Sequence, residues 1–168
     1  PINITINSLF DYNGYDLSCY GANDGGILVN VTGGVSPYSY FWNDSIAINP
    51  YISQEAGLYF LDLVDNNGCK IEGDILLEQP AELLMNTIVS PDTCEREVGE
   101  IVINVVGGVY PYNYLCNNSQ FPSKVGSLLE GVYNVEIIDD NGCNILDTIY
   151  VPNLISPDID FEILSNYE

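Results

Sequence analysis

The chain has 168 residues, of which 46% are hydrophobic, so it is long enough and apolar enough to bury a core. Its 24 acidic residues outnumber three basic ones and give a net charge of −21, which excludes nucleic-acid binding because phosphate recognition needs a basic surface. Histidine is absent, so no Ser-His-Asp or Cys-His pair can form, and we predict that the protein is not an enzyme.

The chain contains two tandem copies of one sequence, which we name copy one and copy two. The phrase GGVSPYSYFW at 33–42 returns 74 positions later as GGVYPYNYLC at 107–116. With the same offset, AGLYFLDLVDNNGC at 56–69 returns as EGVYNVEIIDDNGC at 130–143. A fixed period of this kind is typical of an array of small domains.

Prolines near the seams of the repeat indicate the domain boundaries. They place copy one at 1–80 and copy two at 81–154, and the segment 155–168 then begins a following copy. The linking segments are short and apolar, which predicts neighbouring copies joined directly rather than by a flexible tether.

The elements of each copy are predicted to be β-strands. In the first clear strand, Ile27, Val29 and Val31 alternate with outward positions, which is the period of a half-buried strand. The dipeptides Asn67-Gly68 and Asn141-Gly142 supply the positive φ of tight hairpins. Several short strands without a helical period predict an all-β fold of two tandem immunoglobulin-like antiparallel β-sandwich domains.

An aromatic stripe follows in PYSYFW, where Tyr38, Tyr40 and Trp42 share one face. We predict that this face packs in the core, because large rings bury much of the apolar area of a small domain. The alternative is a polysaccharide-stacking surface formed by Phe41 and Trp42. In copy two, Cys116 replaces Trp42, and we interpret it as a buried free thiol that acts as a small hydrophobe; the alternative is an intermolecular disulfide.

The other four cysteines occupy matched places in the two copies. Cys19 and Cys94 precede an early strand, whereas Cys69 and Cys143 follow the Asn-Gly turns. We predict one disulfide within each copy, Cys19–Cys69 and Cys94–Cys143, each worth about 4 kcal/mol through the loop that it closes. Such bonds imply an oxidising, extracellular setting. A metal site is disfavoured because histidine and Cys-x-x-Cys are both absent.

The polar turns and two short motifs offer further candidate sites. Oxygen ligands suited to calcium crowd the hairpin turns at Asp65, Asn67, Asp139 and Asp140, and no other cofactor is expected. The alternative is that these residues only shape the turns. The sequences Asp-Ser-Ile and Asp-Thr-Ile resemble a bacterial O-glycosylation signal, which makes Ser45 and Thr148 candidate modification sites.

The order of these spaced residues resembles the SprB repeat, named for the large gliding-motility adhesin on the surface of flavobacteria and their relatives. The resemblance covers almost the whole chain, although copy two departs from it at EREVGE, at Cys116 and at VPN. In copy one it is carried by Cys19, Gly21, Asn23, Asp24, Gly25, Gly33, Gly34, Pro37, Tyr38, Tyr40, Trp42, Gly57, Tyr59, Asp65, Asn67, Gly68, Cys69, Gln79 and Pro80.

The resemblance implies a secreted protein attached at the outer membrane and exported by the type IX secretion system. We expect a structural and adhesive segment of a filamentous cell-surface adhesin involved in gliding motility and surface attachment. Its expected partners are neighbouring repeats, extracellular polysaccharide or the substratum, and the gliding and secretion machinery through other parts of the parent protein. The alternatives are a polysaccharide-binding module and a passive spacer in a large secreted enzyme.

Overall fold

A computed structural model of the chain describes residues 1–155, and the predicted following copy at 155–168 lies outside this range apart from Ile155. Within the described range every regular element is a strand, and no helix able to cross a membrane is found there. The strands are β1 (Asn3–Ser8), β2 (Gly25–Thr32), β3 (Ser39–Trp42), β4 (Ser45–Ala47), β5 (Tyr51–Gln54), β6 (Gly57–Val64), β7 (Lys70–Leu77), β8 (Leu84–Ser90), β9 (Asp92–Thr93), β10 (Gly99–Val106), β11 (Asn113–Cys116), β12 (Ser119–Phe121), β13 (Lys124–Leu128), β14 (Gly131–Ile138), β15 (Asn144–Val151) and β16 (Asn153–Leu154).

Copy one folds as a sandwich of two antiparallel sheets, in the order β1-β2-β5 and β4-β3-β6-β7. Both sheets contribute to one core, as the predicted alternation requires. The predicted all-β sandwich is therefore confirmed. The fully enclosed core side chains are Leu17, Ile27, Val29, Trp42, Leu61, Leu63 and Leu77.

The aromatic stripe of copy one faces this core, as predicted. Trp42 is 1% exposed, stacks on Tyr51 at a centroid distance of 5.8 Å and meets the edge of Tyr59 at 6.5 Å. Tyr38 and Tyr40 pack against the same cluster. The candidate glycan contact at Trp42 is thus corrected, because a fully enclosed indole cannot stack on a sugar.

Copy two repeats the strand pairing with sheets in the order β13-β10-β8 and β12-β11-β14-β15. Its strand β11 pairs with β12 in the register Cys116↔Ser119, which matches Trp42↔Ser45 in copy one. An additional short parallel pair joins β9 to β16. The sequence repeat is therefore a structural repeat at the level of strand order.

The described chain divides into two compact units that do not follow the copies strictly. The first unit comprises Pro1–Leu84 with two segments of copy two, Val105–Asn113 and Ile137–Ile145. The second unit comprises Met85–Asn104, Tyr114–Glu136 and the described residues from Leu146 onward. The repeat boundaries at 80 and 154 stay a prediction, because compact units need not follow a sequence period.

The disulfide pairing predicted from the sequence is corrected by the structure. Cys19 bonds to Cys143, with 5.8 Å between their Cα atoms and 124 residues between them in sequence, and both lie in the first unit. The predicted Cys19–Cys69 and Cys94–Cys143 bonds are therefore excluded. Cys69 is an exposed free thiol, and Cys94, also exposed, lies outside the disulfide. Matched positions in two copies show which cysteines are alike, but tertiary contact decides which two meet.

Candidate functional site

The disulfide lies where a loop of copy one meets a turn of copy two, within the first compact unit. The loop, 11–19, contains a small hairpin closed by Tyr12 N to Tyr15 O at 2.8 Å, with Asn13 and Gly14 at φ values of 55° and 91°. The Asn-Gly pair supplies the positive φ that this tight turn requires. The side chain of Asn13 therefore stands at the tip of the loop.

The loop is anchored to copy one at several points. Leu17 is buried in the core, and Asp16 exchanges hydrogen bonds with Glu78, with Asp16 N donating to Glu78 O at 2.9 Å. Gln79 accepts a hydrogen bond from the backbone N of Gly21 at 2.7 Å through its side-chain oxygen. These contacts fix where the loop places Ser18 and Cys19, so its outward groups are preorganised for a partner.

The partner turn, 139–143, is organised by one buried carboxylate. Asp139 is 2% exposed, and its Oδ1 accepts from the backbone N of Asn141 at 3.0 Å and of Cys143 at 2.8 Å. Its Oδ2 accepts from Val109 N at 2.8 Å. Oδ1 thus satisfies two backbone donors of the turn itself, and Oδ2 ties the turn to the segment at Val109.

Loop and turn are joined by hydrogen bonds in addition to the disulfide. Asn13 Nδ2 donates to Asp140 Oδ2 at 2.9 Å and to Asn141 Oδ1 at 2.7 Å. In return, Asn141 Nδ2 donates to Tyr12 O at 3.2 Å and Ser18 O at 2.9 Å. The Cys19–Cys143 bond closes the same contact. The junction is therefore a specific docking of polar groups with one covalent bond.

The sequence interpretation missed this junction. The dipeptide Asn141-Gly142 predicts a hairpin turn, and this is correct. No sequence pattern indicates that the Asn141 side-chain amide also binds the 11–19 loop. One signal was available, because Cys19 follows the end of β1 by 11 positions whereas Cys94 follows the end of β8 by only four. The extra residues form the hairpin that reaches the turn.

Two of the four candidate calcium ligands, Asp65 and Asp139, accept hydrogen bonds from backbone donors. Asp65 repeats the pattern of Asp139, since its Oδ1 accepts from Asn67 N and Cys69 N, both at 2.9 Å, and its Oδ2 accepts from Val35 N at 3.0 Å. Several backbone donors lower the pKa of the Asp65 carboxyl, and the Cys69 amide has the largest effect of these donors. Among residues 1–155 no group of three Cys, Asp or Glu side chains converges on a metal position. The hydrogen bonds of Asp65 are those by which an aspartate shapes a turn.

The remaining candidates lie on exposed strands. Ser45 is exposed at the first position of β4, directly after the Asn43-Asp44 turn. Thr148 is exposed on β15, where its hydroxyl lies 3.2 Å from Asn134 Oδ1. Cys116 is a free cysteine enclosed at 9% exposure, and burial raises the pKa of its thiol. That enclosure removes Cys116 from the surface that a second chain would contact.

Phe41 lies on the outer face of the β4-β3-β6-β7 sheet, beside a shallow groove. The groove is lined by Phe41, Asn43, Asp44, Leu58, Phe60 and Asp62. Phe60 is 58% exposed, and Phe41 pairs across the sheet with Asp62 and with Ile46, which is 74% exposed. Copy one thus presents aromatic rings next to carboxylates on an open sheet face.

Comparison with known sequences identifies the repeat. The sequence model of the SprB repeat matches residues 15–45 and 86–121, one segment in each copy. Two segments of the chain match the SprB repeat. The first matched segment includes Cys19 and Trp42, and the second includes Cys94 and Cys116. No curated protein matches the chain in sequence.

Three solved structures are similar to this chain at low identity. A C-terminal 282-residue fragment of intimin, solved with the intimin-binding domain of its translocated receptor, has 13% identity and a TM-score of 0.49 over 91% of this chain. This chain spans 65% of that fragment. Fibronectin(III)-like modules of Clostridium thermocellum CbhA match at 15% identity and a TM-score of 0.36, covering 90% of this chain and 95% of theirs. The eight N-terminal immunoglobulin domains of the Down syndrome cell adhesion molecule match at 12% identity and a TM-score of 0.40. The match covers 90% of this chain and 25% of theirs.

Proposed function

We propose that this chain is a load-bearing, non-catalytic segment of an extracellular adhesin-type surface protein. The observation that carries the proposal is the disulfide between Cys19 and Cys143, 124 residues apart. A force applied beyond these two residues passes through the sulfur–sulfur bond, and the 123 residues between them are bypassed. A covalent bypass of this length suits a protein whose task is to resist extension.

The charge and the repeat support the same role. A net charge of −21 keeps neighbouring copies of such a surface protein apart at low ionic strength and favours solubility. The match to the SprB repeat supports a surface adhesin-type module. We also propose export by the type IX secretion system and a role of the parent protein in gliding motility and attachment. Loss of cell spreading in a strain that lacks this chain would support the gliding role, and unchanged spreading would contradict it.

Single-molecule stretching of the full chain tests the mechanical role. With the disulfide intact, only residues outside 19–143 are expected to contribute to the gain in contour length. Reduction releases 124 further residue steps, which at roughly 3.3–3.6 Å each adds on the order of 40 nm. The Cys69→Ser variant, which leaves the disulfide in place, is the matched control. Equal extension before and after verified reduction would refute the bypass.

A second candidate function, polysaccharide binding, is favoured by the outer face of copy one. Sugar sites commonly combine an aromatic ring with polar groups that accept hydroxyl hydrogen bonds, and the groove supplies Phe41 and Phe60 beside Asp44 and Asp62. Asp62 is held in place by Lys70, whose Nζ lies 2.8 Å from Asp62 Oδ2. Copy two offers no equivalent rings, because Leu115 and Asn134 stand at the positions of Phe41 and Phe60.

A glycan array with the full chain tests this second function. The expected result for a binding face is retention of a specific polysaccharide that the double substitution Phe41→Ala and Phe60→Ala abolishes. Leu76→Ala is the matched control, because Leu76 is 54% exposed on the same sheet but does not line the groove. If no polysaccharide is retained, or if the double variant retains it equally, polysaccharide binding at this face is contradicted and only the mechanical role remains.

A further inference from the structure

Asp92 in copy two is a buried carboxylate with one oxygen that lacks a hydrogen-bond donor. Its side chain is 0% exposed, and its Oδ1 accepts from the backbone N of Thr93 at 2.8 Å and of Val98 at 3.1 Å. Its Oδ2 is enclosed and accepts no hydrogen bond from a described residue. The buried carboxylates of Asp65 and Asp139, in contrast, have donors at both oxygens. Because a buried charge with an unsatisfied oxygen is costly, Asp92 Oδ2 requires a partner.

Comparison with copy one shows why the donor is missing. In copy one, Asp16 N donates to Glu78 O at 2.9 Å, and Glu78 N donates back to Asp16 Oδ2 at 2.8 Å. In copy two, Asp92 N donates to Pro152 O at 2.8 Å in the same way. Pro152 stands 74 positions after Glu78 and has no N–H, so it cannot return the hydrogen bond. The proline therefore deprives Asp92 Oδ2 of the donor that its counterpart in copy one has.

A second acceptor is left without a donor beside the first. Asn153 is the register partner of Asp92 in the parallel β9–β16 pair, and its Oδ1 is enclosed and accepts no hydrogen bond from a described residue. In copy one the equivalent oxygen, Gln79 Oε1, accepts from Gly21 N at 2.7 Å. Register partners extend their side chains from the same face of strands about 4.8 Å apart. Two acceptor oxygens, one of them charged, thus share a face with no donor between them.

We propose that Asp92 Oδ2 and Asn153 Oδ1 bind a calcium ion. Calcium takes six to eight oxygen ligands from carboxylates, amides, carbonyls and water, and the remaining ligands here are water and carbonyl oxygens of the exposed 94–97 loop, which Asp92 Oδ1 closes. The basic side chains do not take this role, because both lysines form ion pairs elsewhere and Arg96 is exposed. A water molecule could donate to both oxygens but would leave the charge uncompensated. A single carboxylate makes the site weak, with a Kd on the order of 0.1–1 mM, as in other extracellular modules.

Urea unfolding of the full chain, freed of metal with a chelator, tests the site. At about 10 mM calcium and a Kd of about 1 mM, the ratio of folded to unfolded protein is expected to rise about tenfold. Magnesium at equal ionic strength should raise it less, because magnesium gives up its water ligands reluctantly. Asp92→Asn is expected to abolish the calcium-specific rise. Glu95→Gln, which removes the same charge from the adjoining exposed loop, is the matched control and should keep the rise.

Asp92→Asn also separates the loss of a ligand from the loss of the fold. Its Oδ1 can accept as before and its Nδ2 can donate to Asn153 Oδ1, so without calcium this variant is expected to be at least as stable as the native chain. Nuclear magnetic resonance gives a direct measurement. In the native chain, calcium should shift the side-chain amide signal of Asn153 and the backbone amide signals of Thr93 and Val98, whereas in Asp92→Asn it should not.

Three results would overturn the proposal. One is a calcium effect no larger than that of magnesium at equal ionic strength, which would indicate screening of the net charge of −21. Another is an equal calcium effect in Asp92→Asn and the native chain, which would place binding elsewhere. The third is the absence of any shift at the Asn153 amide up to about 10 mM calcium, since a site with the expected Kd is then occupied. The calcium site does not depend on the mechanical role, so the two proposals fail separately.

Discussion

Removal of the Cys19–Cys143 bond is the sharpest test of how this chain is stabilised. A disulfide that joins residues 124 positions apart is expected to contribute about 5 kcal/mol at 25 °C, chiefly by restricting the unfolded chain. A bond within copy one, between Cys19 and Cys69, would close a loop of 50 residues and contribute about 4 kcal/mol by the same relation. The two values differ by less than the scatter of engineered disulfides, so the size of the loss alone does not identify the pairing.

The pairing is identified by which cysteine substitutions lower the stability. We expect Cys19→Ser and Cys143→Ser each to lower the free energy of unfolding in urea by about 5 kcal/mol, and the double variant to lose no more than either single one. Cys69→Ser, at an exposed free thiol, is expected to change it by about 0.5 kcal/mol at most. The m-value should rise in the variants that lack the bond, because their unfolded state exposes more surface.

Two results would refute this reasoning. One is a loss at Cys69→Ser as large as the loss at Cys19→Ser, which would place the stabilising bond within copy one. The other is recovery of a peptide in which Cys19 is linked to Cys69 after proteolysis of the monomer under non-reducing conditions. Intact-mass analysis of the monomer controls for bonds between chains.

Three further predictions follow from individual side chains. Trp42→Ala is expected to lower the free energy of unfolding in urea by roughly 3–5 kcal/mol because the indole is enclosed and stacked on Tyr51, whereas Tyr20→Ala, at a ring that is 55% exposed, should have little effect. The Asp65 carboxyl has a pKa lowered in the folded state, chiefly by the Cys69 amide, so its stabilising contribution is full above the unfolded-state pKa and is lost as the pH falls through the folded value. Asp65→Asn should therefore flatten the acid limb of a plot of stability against pH, and an unchanged limb would contradict the assignment. With the native fold intact, a thiol reagent should label Cys69 rapidly and Cys116 slowly, because burial raises the Cys116 pKa and blocks access; equal labelling rates by mass spectrometry would show that Cys116 is not enclosed.

The strands and the core could be predicted because they are encoded locally. Alternation places Ile27 and Val29 on one face of a strand, and the structure buries both at 3% exposure or less. The same rule put Trp42 in the core and Phe41 on the opposite face. These predictions need only the period of a strand and the preference of large apolar side chains for the interior.

The junction could not be predicted because it depends on contacts between distant segments. Asn67 and Asn141 occupy equivalent positions in nearly identical phrases, yet one is exposed and the other holds a loop through two hydrogen bonds. Neither sequence indicates which segment of the folded chain will contact its asparagine. Equivalent cysteines pose the same problem, since a tandem repeat makes pairing within a copy and pairing across copies equally consistent with the sequence.

The residues by which the repeat is recognised in sequence shape its turns. A match to the repeat therefore says little about what the protein binds. The hydroxyl of Tyr38 donates to Gly33 O at 2.7 Å and that of Tyr112 to Gly107 O at 2.6 Å, with both glycines at a φ of 73°. Such contacts are internal to each copy, so they are retained whatever the surface binds. Several residues that differ between the copies lie outward instead, as Phe60 and its equivalent Asn134 illustrate. Any binding specificity of this protein therefore has to reside in positions that the repeat pattern leaves free, and a substitution there should change binding without changing stability.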